Sequence, residues 1–300
     1  MKIKLYLLEM RPPFFTAAIV PVLLGSALAW HNTSKFSWFL FFLTLLGGVL
    51  LHAGVNITND YYDHKSGTDD INKEFANPFT GGSRMIQNGL LSPREVLIEG
   101  LLCYAVGSLI GIYLIYRCGL PILWLGLFGV ATSFFYTAPP IKLVHRGIGE
   151  IFIGLNFGTF MTLGAYYVQT QKLSWAPVIA SLPVALLILL VLYINEFQDY
   201  NADKTVGKLH WVARMGRQAA SKGYAILLIS VYFMVALGVI TGDLSKWSLA
   251  AFLTIPLAVK AIKIVRKEYD NPAALTPANA LTIQLHLFIG LILTVAYLVK

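Results

Sequence analysis

Charge is scarce in this chain of 300 residues: Asp, Glu, Lys and Arg together make up 13% of it, where soluble domains average about 25%. With 57% apolar residues and a mean hydropathy of +0.67, that shortage excludes an ordinary soluble globule and predicts an integral membrane protein. Cysteine is nearly absent. Cys103 and Cys118 are the only two, and both fall in or beside apolar runs, so neither a disulfide framework nor a zinc site is expected and both read as packing residues. Acidic residues number fifteen, but they are concentrated, with five between Asp60 and Glu74 and three between Glu196 and Asp203.

What the chain has in quantity is apolar sequence long enough to cross a bilayer, about 17–25 residues per helix. Nine such runs can be read, at 14–30, 36–57, 96–116, 118–138, 148–168, 173–194, 223–241, 247–265 and 281–299. The expected fold is therefore all-α, a bundle of nine transmembrane helices. A net charge of +8 invites a nucleic-acid partner, but the placement of the basic residues explains it better. Eighteen of the 23 Lys and Arg lie in the N-terminal segment and the even-numbered loops; the other side holds Lys35, Arg117, Lys172, Lys246 and Lys300. By the positive-inside bias the N-terminus and even loops are expected in the cytoplasm and the C-terminus outside. No nucleic-acid partner is expected; the lipid bilayer is.

Two acidic stretches begin where apolar runs end: Asn56-Ile-Thr-Asn59-Asp60-Tyr-Tyr-Asp63 and Asn195-Glu-Phe-Gln-Asp199-Tyr-Asn-Ala-Asp203. Carboxylates beside hydrocarbon are expensive, so such a cluster is a functional-site hypothesis by default. At helical spacing Asn56, Asp60 and Asp63 share one face, as do Asn195, Asp199 and Asp203. A short echo, Asp60 to Gly67 against Asp199 to Gly207, places the two stretches four helices apart, as a parallel repeat would. Mg²⁺ takes oxygen ligands and usually pairs one or two carboxylates with a substrate's own phosphates. Two opposed Asp-rich faces suit a diphosphate, with Lys65, Arg84, Lys142 and Lys208 as cations to offset its charge, and a site opening into hydrocarbon suits a substrate with an apolar tail. A polyprenyl diphosphate has both parts.

Three motifs taken in order carry a resemblance. Asn59-Asp60-x-x-Asp63 with Gly67 and Asp69, Tyr136-Thr-Ala-Pro-Pro-Ile-Lys142 running to Gly147-x-Gly-Glu150, and Asp199-x-x-x-Asp203 with Gly207-Lys208 together resemble the UbiA superfamily of intramembrane prenyltransferases. The resemblance spans the chain and implies one domain over 1–300, with nine helices around a central cavity. It also implies Mg²⁺-dependent ionisation of a prenyl diphosphate and capture of the cation by an aromatic acceptor. Carried over by position, Asp60, Asp63, Asp199 and Asp203 hold the metal, helped by Asn56, Asn59 and Asn195. Lys142 engages the diphosphate, and Tyr136 lies near the allylic carbon. Gly67, where ubiquinone-type members carry Asp, makes the first motif look more like the 1,4-dihydroxy-2-naphthoate branch. Members using 4-hydroxybenzoate, a chlorophyll precursor, haem or a glycerol phosphate ether lipid are the alternatives, and a transporter is the rival of another class. A transporter would put its acids near mid-bilayer; here they stand at the ends of runs. His52, inside a run, reads as a core histidine, and Glu196 as a support for the second motif.

Overall fold

The computed structural model describes residues 2–299, so Lys300, counted above among the outer basic residues, lies outside the described residues. The regular elements among the described residues are all helices, with no strand. In chain order the helices are α1 (Lys2–Glu9), α2 (Thr16–Thr33), α3 (Trp38–Ser66), α4 (Thr68–Ile71), α5 (Pro93–Cys118), α6 (Leu120–Phe134), α7 (Gly149–Gly154), α8 (Met161–Thr170), α9 (Ala176–Thr205), α10 (Trp211–Met215), α11 (Arg217–Ile240), α12 (Ile255–Glu268) and α13 (Thr276–Leu298). Seven segments among the described residues are long and apolar enough to cross a membrane, and an eighth is reached if α1 and α2, bent by 57°, count as one. The bend falls at Arg11-Pro12-Pro13, where Arg11 adopts a left-handed conformation (φ 56°) and proline occupies the first turn of a 3-10 segment. Helix α6 stops at Phe134 rather than 138. Its 15 residues reach only about 22 Å at 1.5 Å per residue.

Both motif helices outrun their apolar stretches. Helix α3 has 29 residues, about 43 Å at the standard rise, and α9 has 30, about 45 Å, against a hydrocarbon core about 30 Å thick. The acids therefore ride on the last turns of continuous helices rather than on loops. No Pro lies in α3, its internal Gly47, Gly48 and Gly54 leave the helix unbroken, and it ends at Gly67, which adopts a left-handed conformation (φ 80°). A capping box of Ser92 and Glu95 starts α5 after the long loop.

Helix α9 lies inside the bundle against α2, α8, α11 and α13, while α3 pairs with α5 and α2 with α8 and α13. Without a hydrophobic drive between helices in lipid, small residues permit close approach. Gly158 is such a residue: a Cβ there would stand 2.3 Å from the Ala185 Cα on α9. It belongs to a π-helical turn, Leu155–Phe160, joining α7 to α8. Cys103 and Cys118 are buried free thiols, as packing residues should be.

Candidate active site

Helices α3 and α9 form opposite walls of a cavity of about 150 Å³. On α3 the lining residues are His52, Asn56, Asn59 and Asp63; on α9 they include Ile188, Leu192, Asn195, Asp199 and Asp203. Spacings of three and four place each set on one stripe, polar at one end and apolar at the other. Phe14, Ala17, Val55, Ile153 and Phe157 continue the apolar end.

Lys208 joins the two motifs. Its ammonium lies 3.0 Å from Asp63 Oδ2 and 3.5 Å from Asp203 Oδ1, and all three residues are buried. Burial draws the ammonium's pKa down, but the Asp203 and Asp63 carboxylates outweigh it and hold Lys208 well above the usual lysine value. Asn59 Nδ2 donates to Asp63 Oδ2 at 2.8 Å. Asn72 Nδ2 donates to Asp199 Oδ1 at 2.7 Å, tying the loop after α4 to the second motif. Asn195 Oδ1 accepts from Asn279 Nδ2 at 2.8 Å, which anchors it to α13.

Asp60 is turned away from the cavity stripe, which takes Asn59 in its stead. Asp60 Oδ2 accepts from the Ser83 amide at 2.7 Å, and Ser83 Oγ donates to Glu9 Oε2. Arg11 lines the cavity, donates to Phe79 O at 2.8 Å and stands 3.9 Å from Asp60 Oδ1. Asp69, also in the lining, is pushed up to about 9 by burial and by the neighbouring Asp63 and Asp60 carboxylates. Two buried oxygens here, Asp69 Oδ2 and Asn59 Oδ1, lack a hydrogen-bond partner, while Asp60 Oδ1 and Asp203 Oδ1 have only the longer ion-pair contacts to Arg11 and Lys208. Leaving such groups poorly met is costly, and all are hard oxygen donors. No set of three or more His, Cys, Asp or Glu among the described residues is placed to hold a metal unaided.

Gly82 makes the approach of Asp60 and Asp69 possible. It sits at φ 70°, and a Cβ there would lie 2.9 Å from Asp60 Oδ1 and 3.0 Å from Asp69 Oδ2. Gly82→Ala should therefore destabilise the fold by about 1–2 kcal/mol from backbone conformation alone and lower turnover further by displacing the two acids. Thermal unfolding and steady-state rates on the same preparation check this; unchanged values of both would contradict it.

Of the other residues expected at the site, Tyr136 lines the cavity. Burial first, then the Glu196 carboxylate, holds its phenol well above the usual tyrosine value, so it remains a proton donor. Lys142, Arg84 and Lys65 are not among the lining residues. Lys142 is half-buried in a left-handed conformation (φ 48°) at the head of a 3-10 turn. Arg84 packs over the Phe75 ring, 4.4 Å from its centre, and donates to Asp69 O at 2.5 Å. Lys65 is exposed.

Arg11, Asp69, Glu196 and His210 also line the cavity. His210 Nε2 is 3.2 Å from Asp203 Oδ2 and Nδ1 is 3.2 Å from Glu196 Oε2. The Ala213 amide also points at Nδ1, at 3.1 Å, a contact that needs the opposite protonation state. The ion pairs prevail: burial opposes the charge, but Glu196 and Asp203 push the imidazole up to about 10. Glu150 caps the next turn by accepting from the Trp211 amide at 2.5 Å, and Trp211 Nε1 donates to Gly147 O at 2.8 Å. The segment after the second motif is thus pinned to the Tyr136–Glu150 loop.

Fold and cavity together define a multi-pass helical membrane protein with buried acids gathered at one end of an apolar-walled interior. The chain belongs to the UbiA prenyltransferase family, whose model it matches over residues 18–297, and it is a prenyltransferase. It is 31% identical to the 1,4-dihydroxy-2-naphthoate octaprenyltransferase of Bacillus subtilis over 97% of this chain and 91% of that protein. It is 27% identical to the 2-carboxy-1,4-naphthoquinone phytyltransferase of Synechocystis, over 98% of this chain and 93% of that one. Among solved structures, a UbiA homologue from Archaeoglobus fulgidus bound to DMAPP and Mg²⁺ shares the fold with a TM-score of 0.66 at 17% identity, covering 98% of this chain and 99% of that one.

Proposed function

We propose that the protein transfers a polyprenyl group from its diphosphate to 1,4-dihydroxy-2-naphthoate, with Mg²⁺ as cofactor. The single observation that carries this reading is the meeting of the two Asp-bearing stripes at one cavity, bridged by Lys208, above an apolar pocket suited to an isoprenoid. The names of the 31% and 27% identical relatives and the Gly67-x-Asp69 spacing support the naphthoate acceptor.

The poorly met carboxylate oxygens fit magnesium, and the want of a self-sufficient ligand set fits a cation completed by substrate phosphate. Asp63, Asp69, Asp199 and Asp203, with Asp60 behind them, would hold it; when bound it offsets charge on the departing diphosphate. Lys208 adds a fixed positive charge at the same place. Asn56, Asn59 and Asn195 orient the headgroup by hydrogen bonding, and Tyr136 borders the carbon that loses it. The apolar walls keep water from the allylic cation. One domain with nine membrane crossings, counting α6 and the bent α1–α2 pair, accounts for the apolar runs, and the basic residues favour a cytoplasmic N-terminus and active site with the C-terminus outside.

Protein in lipid nanodiscs, given Mg²⁺, prenyl diphosphates and a panel of acceptors, should release pyrophosphate and form a product with the mass of prenylated naphthoate less carbon dioxide. Chelation with EDTA should abolish turnover, and added Mg²⁺ should restore it. Exclusive product from another acceptor, or turnover indifferent to EDTA, would overturn the respective part.

A further inference from the structure

Asn195 lines the cavity on α9, about one turn nearer the apolar end than Asp199. A carboxamide offers lone pairs at its oxygen and two N–H groups at its nitrogen, so the end that faces the cavity decides what it binds. That choice is made behind the wall, by buried amides. Pro272 O, in the 3-10 turn Pro272–Leu275, can only accept, and Gln198 Nε2 donates to it at 3.2 Å. Gln198 is thereby fixed: Nε2 donates also to Asn279 Oδ1 at 2.9 Å, and Oε1 accepts from Asn279 Nδ2 at 3.0 Å. The second proton of Asn279 Nδ2 goes to Asn195 Oδ1 at 2.8 Å. Gln198 and Asn279 are both 0% exposed, and every N–H of the pair is spent. Turning Asn195 over would set N–H against N–H and strand a buried donor, which disfavours that orientation on the order of 10–100-fold. Asn195 therefore spends its oxygen on α13, and among the described residues no group accepts from its Nδ2. Asn59 on the facing helix does the reverse: its Nδ2 is spent on Asp63, and its Oδ1 is unmet.

We propose that Asn279, held by Gln198, is a positioning residue that turns Asn195 so that it gives N–H bonds to the diphosphate of the donor and does not ligate the metal. The role rests on the donor reading above and adds the sign of one contact to it. A carbonyl at this place would meet the anion with lone pairs; an amide nitrogen meets the oxygens that carry its charge. Because the orientation is set by a backbone carbonyl through two fully bonded side chains, the N–H groups stand ready before the headgroup arrives, and no reorganisation is needed when charge develops on it. Helix α13 thus acts on the site through Asn279, which does not itself line the cavity.

Two probes in nanodiscs read the two ends of the amide. One is inorganic pyrophosphate at saturating Mg²⁺, followed by titration calorimetry; the other is Mg²⁺ alone, followed by the midpoint of the rise in unfolding temperature. Asn195→Ala and Asn279→Ala should each weaken pyrophosphate binding about 10–100-fold, the loss of one hydrogen bond to a charged group, and leave the Mg²⁺ midpoint within about twofold. Asn279→Leu, which fills the space, should match Asn279→Ala. Combining Asn195→Ala with Asn279→Ala should leave pyrophosphate within about twofold of Asn195→Ala alone, because Asn279 acts only through Asn195, whereas a merely structural Asn279 would add a loss of its own. Unchanged pyrophosphate affinity in Asn195→Ala, a Mg²⁺ midpoint raised by it, or an additive double variant would overturn the proposal. Should neither Asn279 variant fold, the two readings on Asn195→Ala still decide which end of the amide faces the cavity. If the unsubstituted protein binds Mg²⁺ but no pyrophosphate, the donor reading itself fails and this role with it.

Discussion

Asp63→Ala and Asp203→Ala should each lower kcat by on the order of 10²–10³, the loss seen when one preorganised group facing developing charge is removed. Asp63 and Asp203 stand on different helices, yet both face Lys208 within 3.5 Å, so each contributes to one charge-holding unit. The double substitution should cost little more than either single one, because residues acting as a unit are not additive. Asp60→Ala and Asp199→Ala should also be strongly impaired, Asp60 through the loop it holds at Ser83 and Asp199 directly. Pyrophosphate release under saturating donor gives the measurement. Full activity in Asp60→Ala together with Asp199→Ala would end the assignment of the acids.

The apolar runs made the membrane bundle legible, and the spacing of the acids made the two polar stripes legible, because both depend on period alone. Period does not resolve a neighbour one step round the helix. The face at 56, 60 and 63 and the face at 56, 59 and 63 are nearly the same in projection, and only the long loop's Ser83 amide, which captures Asp60, decides between them. The basic residues were harder for the same reason. Lys208 and Lys142 each follow a recognisable motif, but the cavity takes Lys208, because the chain turns back after Gly207 at φ 75° and is pinned there by Glu150 and Trp211. Arg11 reaches the site through the kink at Arg11-Pro12, and His210 through its ion pairs with residues on α9. Neither leaves a local signal. Gly82 could have been suspected only as one of several glycines in a loop; its reason is the two carboxylates its missing side chain would displace.

A second large effect follows from the bridge itself. In Lys208→Ala the buried Asp63 and Asp203 carboxylates lose the cation between them, and breaking a buried ion pair by removing one partner costs about 3–5 kcal/mol. The unfolding temperature without divalent cation should fall accordingly. Mg²⁺ should then raise it more in the variant than in the unsubstituted protein, because a ligand that binds only the folded state stabilises it in proportion to its affinity, and Asp63, left with the Asn59 amide, and Asp203, left with His210, attract a divalent ion that no longer competes with the ammonium. Activity should not follow stability. Even with Mg²⁺ present, KM for the prenyl diphosphate should rise, since Lys208 offers the headgroup a positive charge that the metal alone does not replace. Calorimetric or fluorescence-monitored melting across a Mg²⁺ titration, paired with donor kinetics, separates the two contributions. A Mg²⁺-dependent shift equal in both proteins would show that the ammonium and the metal occupy unrelated sites, and the two Asp motifs would then have to be read as a structural ion-pair network rather than a shared seat for cation and diphosphate.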